Sequence, residues 1–204
     1  MTPEEIRQKL QQVKKQRLTE LDLSNPSWTP EWEKLTQIPT EVFEWEWLET
    51  LNLSWNKLTS VPKAISPQTN LSALYLGVNQ LRSLPETISC LTNLSELDLT
   101  GNQLTSLPEV IITTLTNLSK LNLSFNQLRT VPEAISCLTT LSELDLGFNQ
   151  LTSLPEAITR LTNLSELNLY ENPLEDPPSE IAEQGIDAIR EYFRQKQAGE
   201  DRRI

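Results

Sequence analysis

The segment LSELDLGFNQL, residues 141–151, places leucines at 141, 144 and 146 and an asparagine at 149. Leu144 and Leu146 alternate with Glu143 and Asp145, the pattern of a short strand with one buried face. Asn149 stands where the chain must leave that strand. The same wording starts at Leu48, Leu71, Leu94, Leu118, Leu141 and Leu164, with successive spacings of 23, 23, 24, 23 and 23 residues. A longer unit of 30 residues precedes them, starting at Leu18, and leucine fills all 21 triplet positions of the seven units. One such unit cannot bury its own apolar face, so neighbouring units must stack to make a core.

Stacking identical strands gives a parallel sheet. Asn56, Asn79, Asn102, Asn126, Asn149 and Asn172 recur where each strand ends, and are expected to form an inward ladder. Their amides would satisfy backbone groups freed at each turn. Leu151, Leu154, Pro155, Ile158 and Leu161 then fill the other half of the coil, and seven of the thirteen prolines fall at the repeat period. Over residues 18 to about 184 this pattern resembles the leucine-rich repeat. The resemblance implies an α/β solenoid, with a curved parallel β-sheet on the concave face and an irregular or short-helical convex face.

A stack needs ends. TPEE, residues 2–5, reads as a capping box with Thr2 at N-cap, Pro3 at N1 and Glu5 at N3. Ile6, Leu10 and Val13 follow at helical spacing, so residues 1–17 are expected to be an N-terminal capping helix. The solenoid covers residues 18–184, about seven repeats with an insertion around 25–33. Ser179–Gln184 reads as a short helix stopped by Gly185, and Ile186, Ile189 and Phe193 share a face of a second. Residues 185–204 are therefore expected to be a C-terminal cap helix and a charged, flexible linker.

Composition excludes several function classes. Seventeen basic residues against 28 acidic ones leave a net charge of −11, which disfavours nucleic acid and anionic membrane surfaces alike. No apolar run approaches the roughly 18 residues of a membrane span. There is no histidine, which removes Ser-His-Asp and Cys-His arrangements and most zinc sites. No GxxxxGK[ST] or GxGxxG occurs, so no phosphate cradle and no cofactor are expected. Cys90 and Cys137 share a slot in repeats that are not neighbours, about 10 Å apart and too far to bridge. They read as buried, reduced thiols in a cytoplasmic protein.

What varies within the repeat marks the candidate binding residues. The third position runs Glu20, Thr50, Ala73, Glu96, Lys120, Glu143, Glu166, and the fifth Asp22, Asn52, Tyr75, Asp98, Asn122, Asp145, Asn168. Alternation of Asp with Asn relieves repulsion between adjacent carboxylates; equally, the columns could form an acidic trough for a basic partner. Residues 18–170 carry 7 basic and 17 acidic side chains, which keeps the trough in play. Carboxylates such as Asp98 and Asp145 read as solvated, with no sign of pKa values raised by burial. The eighth position, Trp55, Val78, Gly101, Phe125, Phe148 and Glu171, forms a strand-end edge. Its aromatics either anchor a partner or pack on one another. Tyr170 joins this candidate set. All five tryptophans lie in the first 55 residues: Trp28 and Trp32 in the insertion NPSWTPEWEK, Trp45 and Trp47 in FEWEW on the convex side. Trp28 and Trp32 either thicken the N-terminal cap or form a gripping patch.

The wording LPEAITRLTNLSELNL, residues 154–169, resembles bacterial, cyanobacterial-type intracellular repeats. A short helix running into LTELDLS at 18–24, with ENPLEDPPSEIAEQGIDAIREYFRQ at 171–195, resembles the repeat domain of Roco proteins. That resemblance implies a non-enzymatic protein-recognition module that regulates or targets a Ras-like GTPase domain attached in cis. Ile204, a lone apolar residue after Asp201, Arg202 and Arg203, then reads as the first step into that domain's opening strand. The other expectation is a freestanding scaffold or inhibitor subunit of a phosphatase or small GTPase. Both imply a protein partner, basic if the trough is used, and a monomeric isolated chain.

Overall fold

The computed structural model describes residues 1–201, with side chains through Gly199; Ile204 lies outside the described residues. Seven strands form one open parallel sheet in sequence order: β1 Glu20–Asp22, β2 Thr50–Asn52, β3 Ala73–Tyr75, β4 Glu96–Asp98, β5 Lys120–Asn122, β6 Glu143–Asp145 and β7 Glu166–Asn168. The register pairs leucine with leucine throughout, Leu21, Leu51, Leu74, Leu97, Leu121, Leu144 and Leu167. A slip by one residue would turn every one of these side chains to the opposite face, so burial fixes the pairing. Apart from the exposed Leu18, leucines of the triplets and those of the following turn merge into one continuous core, with Leu167 half-buried at its edge.

Side-chain hydrogen bonds repeat with the same period. Asn126 shows the unit: its Nδ2 donates to the carbonyls of Leu99 (2.9 Å) and Leu123 (3.0 Å), while its Oδ1 accepts from Leu104 N at 3.0 Å. Asn56, Asn79, Asn102, Asn149 and Asn172 make equivalent bonds. Asn25 extends this series into the first repeat, donating to Asn56 Oδ1 at 2.7 Å and accepting from the N-terminal amine. A second series is made of serines. Ser72, Ser95, Ser119, Ser142 and Ser165 each donate to the carbonyl of their counterpart one repeat earlier, at 3.0–3.2 Å.

Opposite the sheet, most repeats turn through a short 3-10 helix such as Glu86–Cys90 or Glu156–Arg160, preceded by a proline whose φ is already set. The 24-residue repeat differs: there the turn is α2, Glu109–Thr114 (α1 is the N-terminal helix below). Six α-helical residues span about 9 Å and five 3-10 residues about 10 Å, so the extra residue fits without disturbing the stack. In Glu86–Cys90 the tight winding turns Ile88 inward and leaves Cys90 outside. The expectation of two buried thiols therefore fails: Cys90 is exposed and Cys137 half-buried, and both are free.

Helix α1, Pro3–Gln16, begins with the full capping box; Thr2 accepts from Glu5 N and Glu5 accepts from Thr2 N. It buries Val13, rests Ile6 and Leu10 on the core, and reaches the β1 edge through Lys9 Nζ, 2.7 Å from Asp22 O. At the other end, α3 is Ser179–Ala182 and α4 Ile186–Asp201, separated by Gly185 at φ +93°. Ile186, Ile189 and Phe193 of α4 are buried, and Arg190 donates to Leu161 O at 2.7 Å. Asp176 receives Tyr192 Oη at 2.7 Å and Lys196 Nζ at 2.6 Å, and these bonds hold its carboxyl below the ordinary range. The charged stretch from Arg194, expected to be a flexible linker, is helical as far as Asp201.

Candidate functional site

The third and fifth positions of each strand share the open face of the sheet. The fifth has a structural duty that sequence reading missed. Asp22, Asn52, Asp98, Asn122, Asp145 and Asn168 each accept the backbone N–H two residues on, at 2.9–3.0 Å. Such Asx turns bend the chain out of the strand, which explains the restriction to Asp and Asn. Asn168 also donates to Asp145 Oδ1 at 2.9 Å, so neighbouring members of the column do pair. Tyr75 replaces the turn-former in β3 and instead donates to Glu96 Oε2 at 2.6 Å. This bond, with partial burial, pushes its phenol up to about 12.

Between β3 and β7 the face holds a groove of about 300 Å³, lined by Tyr75, Glu96, Asp98, Lys120, Asn122, Glu143, Asp145, Glu166 and Asn168. Lys120 Nζ lies 2.9 Å from Glu143 Oε1, and that bond raises its pKa. Asp98 corrects an expectation. Burial raises its pKa above the ordinary 3.8, with Asp145 adding repulsion and the Thr100 N–H opposing. A folded pKa above the unfolded one means that ionised Asp98 costs stability, a cost relieved as pH falls through the folded pKa. Asp98→Asn keeps the Asx turn, as Asn122 does, and should raise stability at pH 7 by on the order of 0.5 kcal/mol, water in the groove screening the rest. Urea titrations should show that gain shrinking to nothing below pH 3.8.

The edge column adopts one unusual conformation. Trp55, Val78, Phe125, Phe148 and Glu171 all have φ between +54° and +61°, and Gly101 +62°. Left-handed backbone costs a non-glycine residue roughly 1–2 kcal/mol, a cost paid here by bulky apolar side chains. The aromatic ones gain little burial in return: Phe125, Phe148 and Trp55 remain 54%, 40% and 40% exposed, and the neighbouring Tyr170, on ordinary backbone, is 56% exposed. They do pack on one another, Phe125 and Phe148 face to face at 4.1 Å and Phe148 edge-on to Tyr170 at 5.5 Å. Val78 is half-buried and adds little to the ridge. In the insertion, Trp28 and Trp32 are 83% and 85% exposed, so they do not thicken the cap; Trp45 is the tryptophan that enters the core.

This arrangement of leucine register, asparagine bonds and proline-started turns agrees with a known family. The leucine rich repeat family model matches residues 48–104 and 92–151, together more than half of the chain. The chain belongs to the leucine-rich repeat family. Among solved structures it is similar to a leucine-rich repeat protein of Leptospira interrogans, at 36% identity over 76% of this chain and 49% of that one, TM-score 0.62. It is also similar to the plant peptide hormone receptor RGFR1, solved in complex with RGF2, at 32% identity, 77% and 25% coverage and TM-score 0.65. An internalin of Listeria monocytogenes matches at 25% identity, 69% and 40% coverage and TM-score 0.60. The chain thus spans half or less of the length of these relatives. No curated protein matches it.

Leucine-rich repeats are typically non-catalytic interaction modules. Among the described residues no cluster of His, Cys, Asp and Glu could hold a metal ion, and no helix is long and apolar enough to cross a membrane. The groove and the aromatic ridge lie on one side of the repeats, where strands end; the asparagines lie beneath them, inside the coil.

Proposed function

We propose that this leucine-rich repeat domain recognises a basic protein partner in the cytoplasm through its open sheet face and strand-end ridge. The observation that carries the reading is the ridge itself: exposed aromatics held at a φ that favours glycine, beside a groove with five carboxylates. The ridge side chains are not required by the fold, since Gly101 occupies the same slot with a similar backbone. Following the resemblance of residues 171–195 to Roco proteins, the partner or the output is a GTPase attached in cis. A coding sequence that places a GxxxxGK[ST] motif within a few tens of residues after Ile204 would support that part; an unrelated domain there would remove it.

Binding kinetics test the surface. Lysine at Glu96 and Glu143 with asparagine at Asp98 and Asp145, which keeps their Asx turns, should slow association by about tenfold and flatten its salt dependence, because surface charge acts mainly by steering. Alanine at Trp55 or Phe148 should instead speed dissociation. A captured partner indifferent to all six changes would place the interface elsewhere.

A further inference from the structure

We propose that a notch at Gly101 receives an arginine of the protein partner, its guanidinium stacked on the face of Phe125. Backbone bonds hold the edge residues one repeat apart: Val78 N to Thr100 O, Gly101 N to Ser124 O and Phe125 N to Gly147 O, at 2.7–3.0 Å. Phe125 and Phe148 occupy adjacent slots with rings 4.1 Å apart and planes 10° from parallel, so neighbouring slots are spaced for stacking. Gly101 has the same left-handed backbone as its neighbours and lacks only the side chain. The stack therefore stops one slot short, between Phe125 and Val78. Two repeat steps of about 4.8 Å separate those two residues, which is room for one planar group touching both. Phe125 is more than half exposed.

Charge selects among planar groups. Asp98 lies on the strand that leads into Gly101, and its carboxylate borders Gly77, next to the Val78 wall of the notch, with no ion-pair partner among the described residues; Glu96, further back on that strand, is already held by the Tyr75 hydroxyl. A guanidinium is flat, stacks on aromatic faces and stays charged beside carboxylates; an ammonium has no plane to fill the slot. A neutral ring would fill the slot and leave the carboxylates unmatched.

The inference rests on the proposed recognition surface and names one contact within it. The 204-residue chain would be titrated with the acetylated amides of arginine, lysine and tryptophan, following the Gly101 amide and the Phe125 ring protons by NMR. Arginine amide should shift both saturably and bind about three- to five-fold more tightly than lysine amide, the scale of an exposed cation–π contact. G101F copies the residue already present in the next two slots and closes the notch; an added Cβ there comes within 3.3 Å of Val78 Cγ2 and 3.4 Å of Val78 Cα and takes on the left-handed strain that Phe125 and Phe148 already bear. F125L removes the ring and keeps the bulk. Each variant, folded by circular dichroism, should abolish the arginine preference. Equal response to lysine, stronger response to tryptophan, or arginine shifts that survive either variant would overturn the notch. Partner capture by the wild-type chain is scored separately, so a failed notch is distinguishable from a failed recognition surface.

Discussion

Asn126→Ala is expected to lower the free energy of unfolding by about 3 kcal/mol, a loss that its interior counterparts in the ladder should share. The side chain is buried and its Nδ2 reaches three carbonyls, those of Leu99, Leu123 and Ser124, while its Oδ1 takes the Leu104 N–H. Alanine strands that N–H inside the coil, at a cost of about 1–3 kcal/mol, and takes one of two donors from each carbonyl, leaving Leu99 O to Asn102 Nδ2, Leu123 O to Asn149 Nδ2 and Ser124 O to Gly101 N. Asn172 makes the same bonds, to Leu146 O, Leu169 O and Leu151 N, yet is only half-buried beside the last repeat. Water can replace much of what Asn172→Ala removes, so its loss should be about 1 kcal/mol. Urea denaturation of both variants measures the difference; equal losses would contradict a stack whose interior repeats support one another from both sides.

Gln68→Leu should act in the opposite direction, raising stability by about 2 kcal/mol. Gln68 stands in a column of the turns that otherwise reads Trp45, Leu91, Leu115, Leu138 and Leu161; in each, the carbonyl accepts the N–H three residues on. The column is fully buried, and neither atom of the Gln68 amide meets a hydrogen-bonding group of the protein; the Trp45 indole N–H in the adjacent slot is likewise unpaired. Leucine has nearly the volume of glutamine and is what the slot holds elsewhere, so the exchange removes an amide desolvation cost without opening a cavity. Thermal and urea unfolding midpoints should both rise. A fall would mean that the amide is paired after all.

The leucine triplets made the strands, their order and their register legible, because a two-residue period beneath a 23-residue period admits one stacking. The capping box at Thr2 and the stop at Gly185 were legible for the same reason: each depends on a short local pattern. What escaped the sequence depends on which side of a turn a residue takes. Cys90 and Gln68 fall at neighbouring slots in the turns of successive repeats, and periodicity alone did not reveal that the cysteine faces out and the glutamine in. Asn25 was missed because it follows Leu23 by two residues where later repeats use three. The acidic column read as charge alone, while the Asx turns show that Asp98 and Asp145 are first of all strand terminators. The positive φ of Phe125 and Phe148 has no sequence signal, since the residues that occupy it are those least suited to it.

We propose that partners meet the ridge and groove. Hydroxyl-radical footprinting of the chain, alone and with its captured partner, tests it by reading the oxidation of each exposed aromatic side chain. Phe125, Phe148 and Tyr170 should lose most of their reactivity on binding, with Trp55 partly shielded and Trp28 and Trp32 unchanged. Unaltered rates at Phe125, Phe148 and Tyr170, with shielding at Trp28 and Trp32 or on the turn side of the repeats, would contradict it.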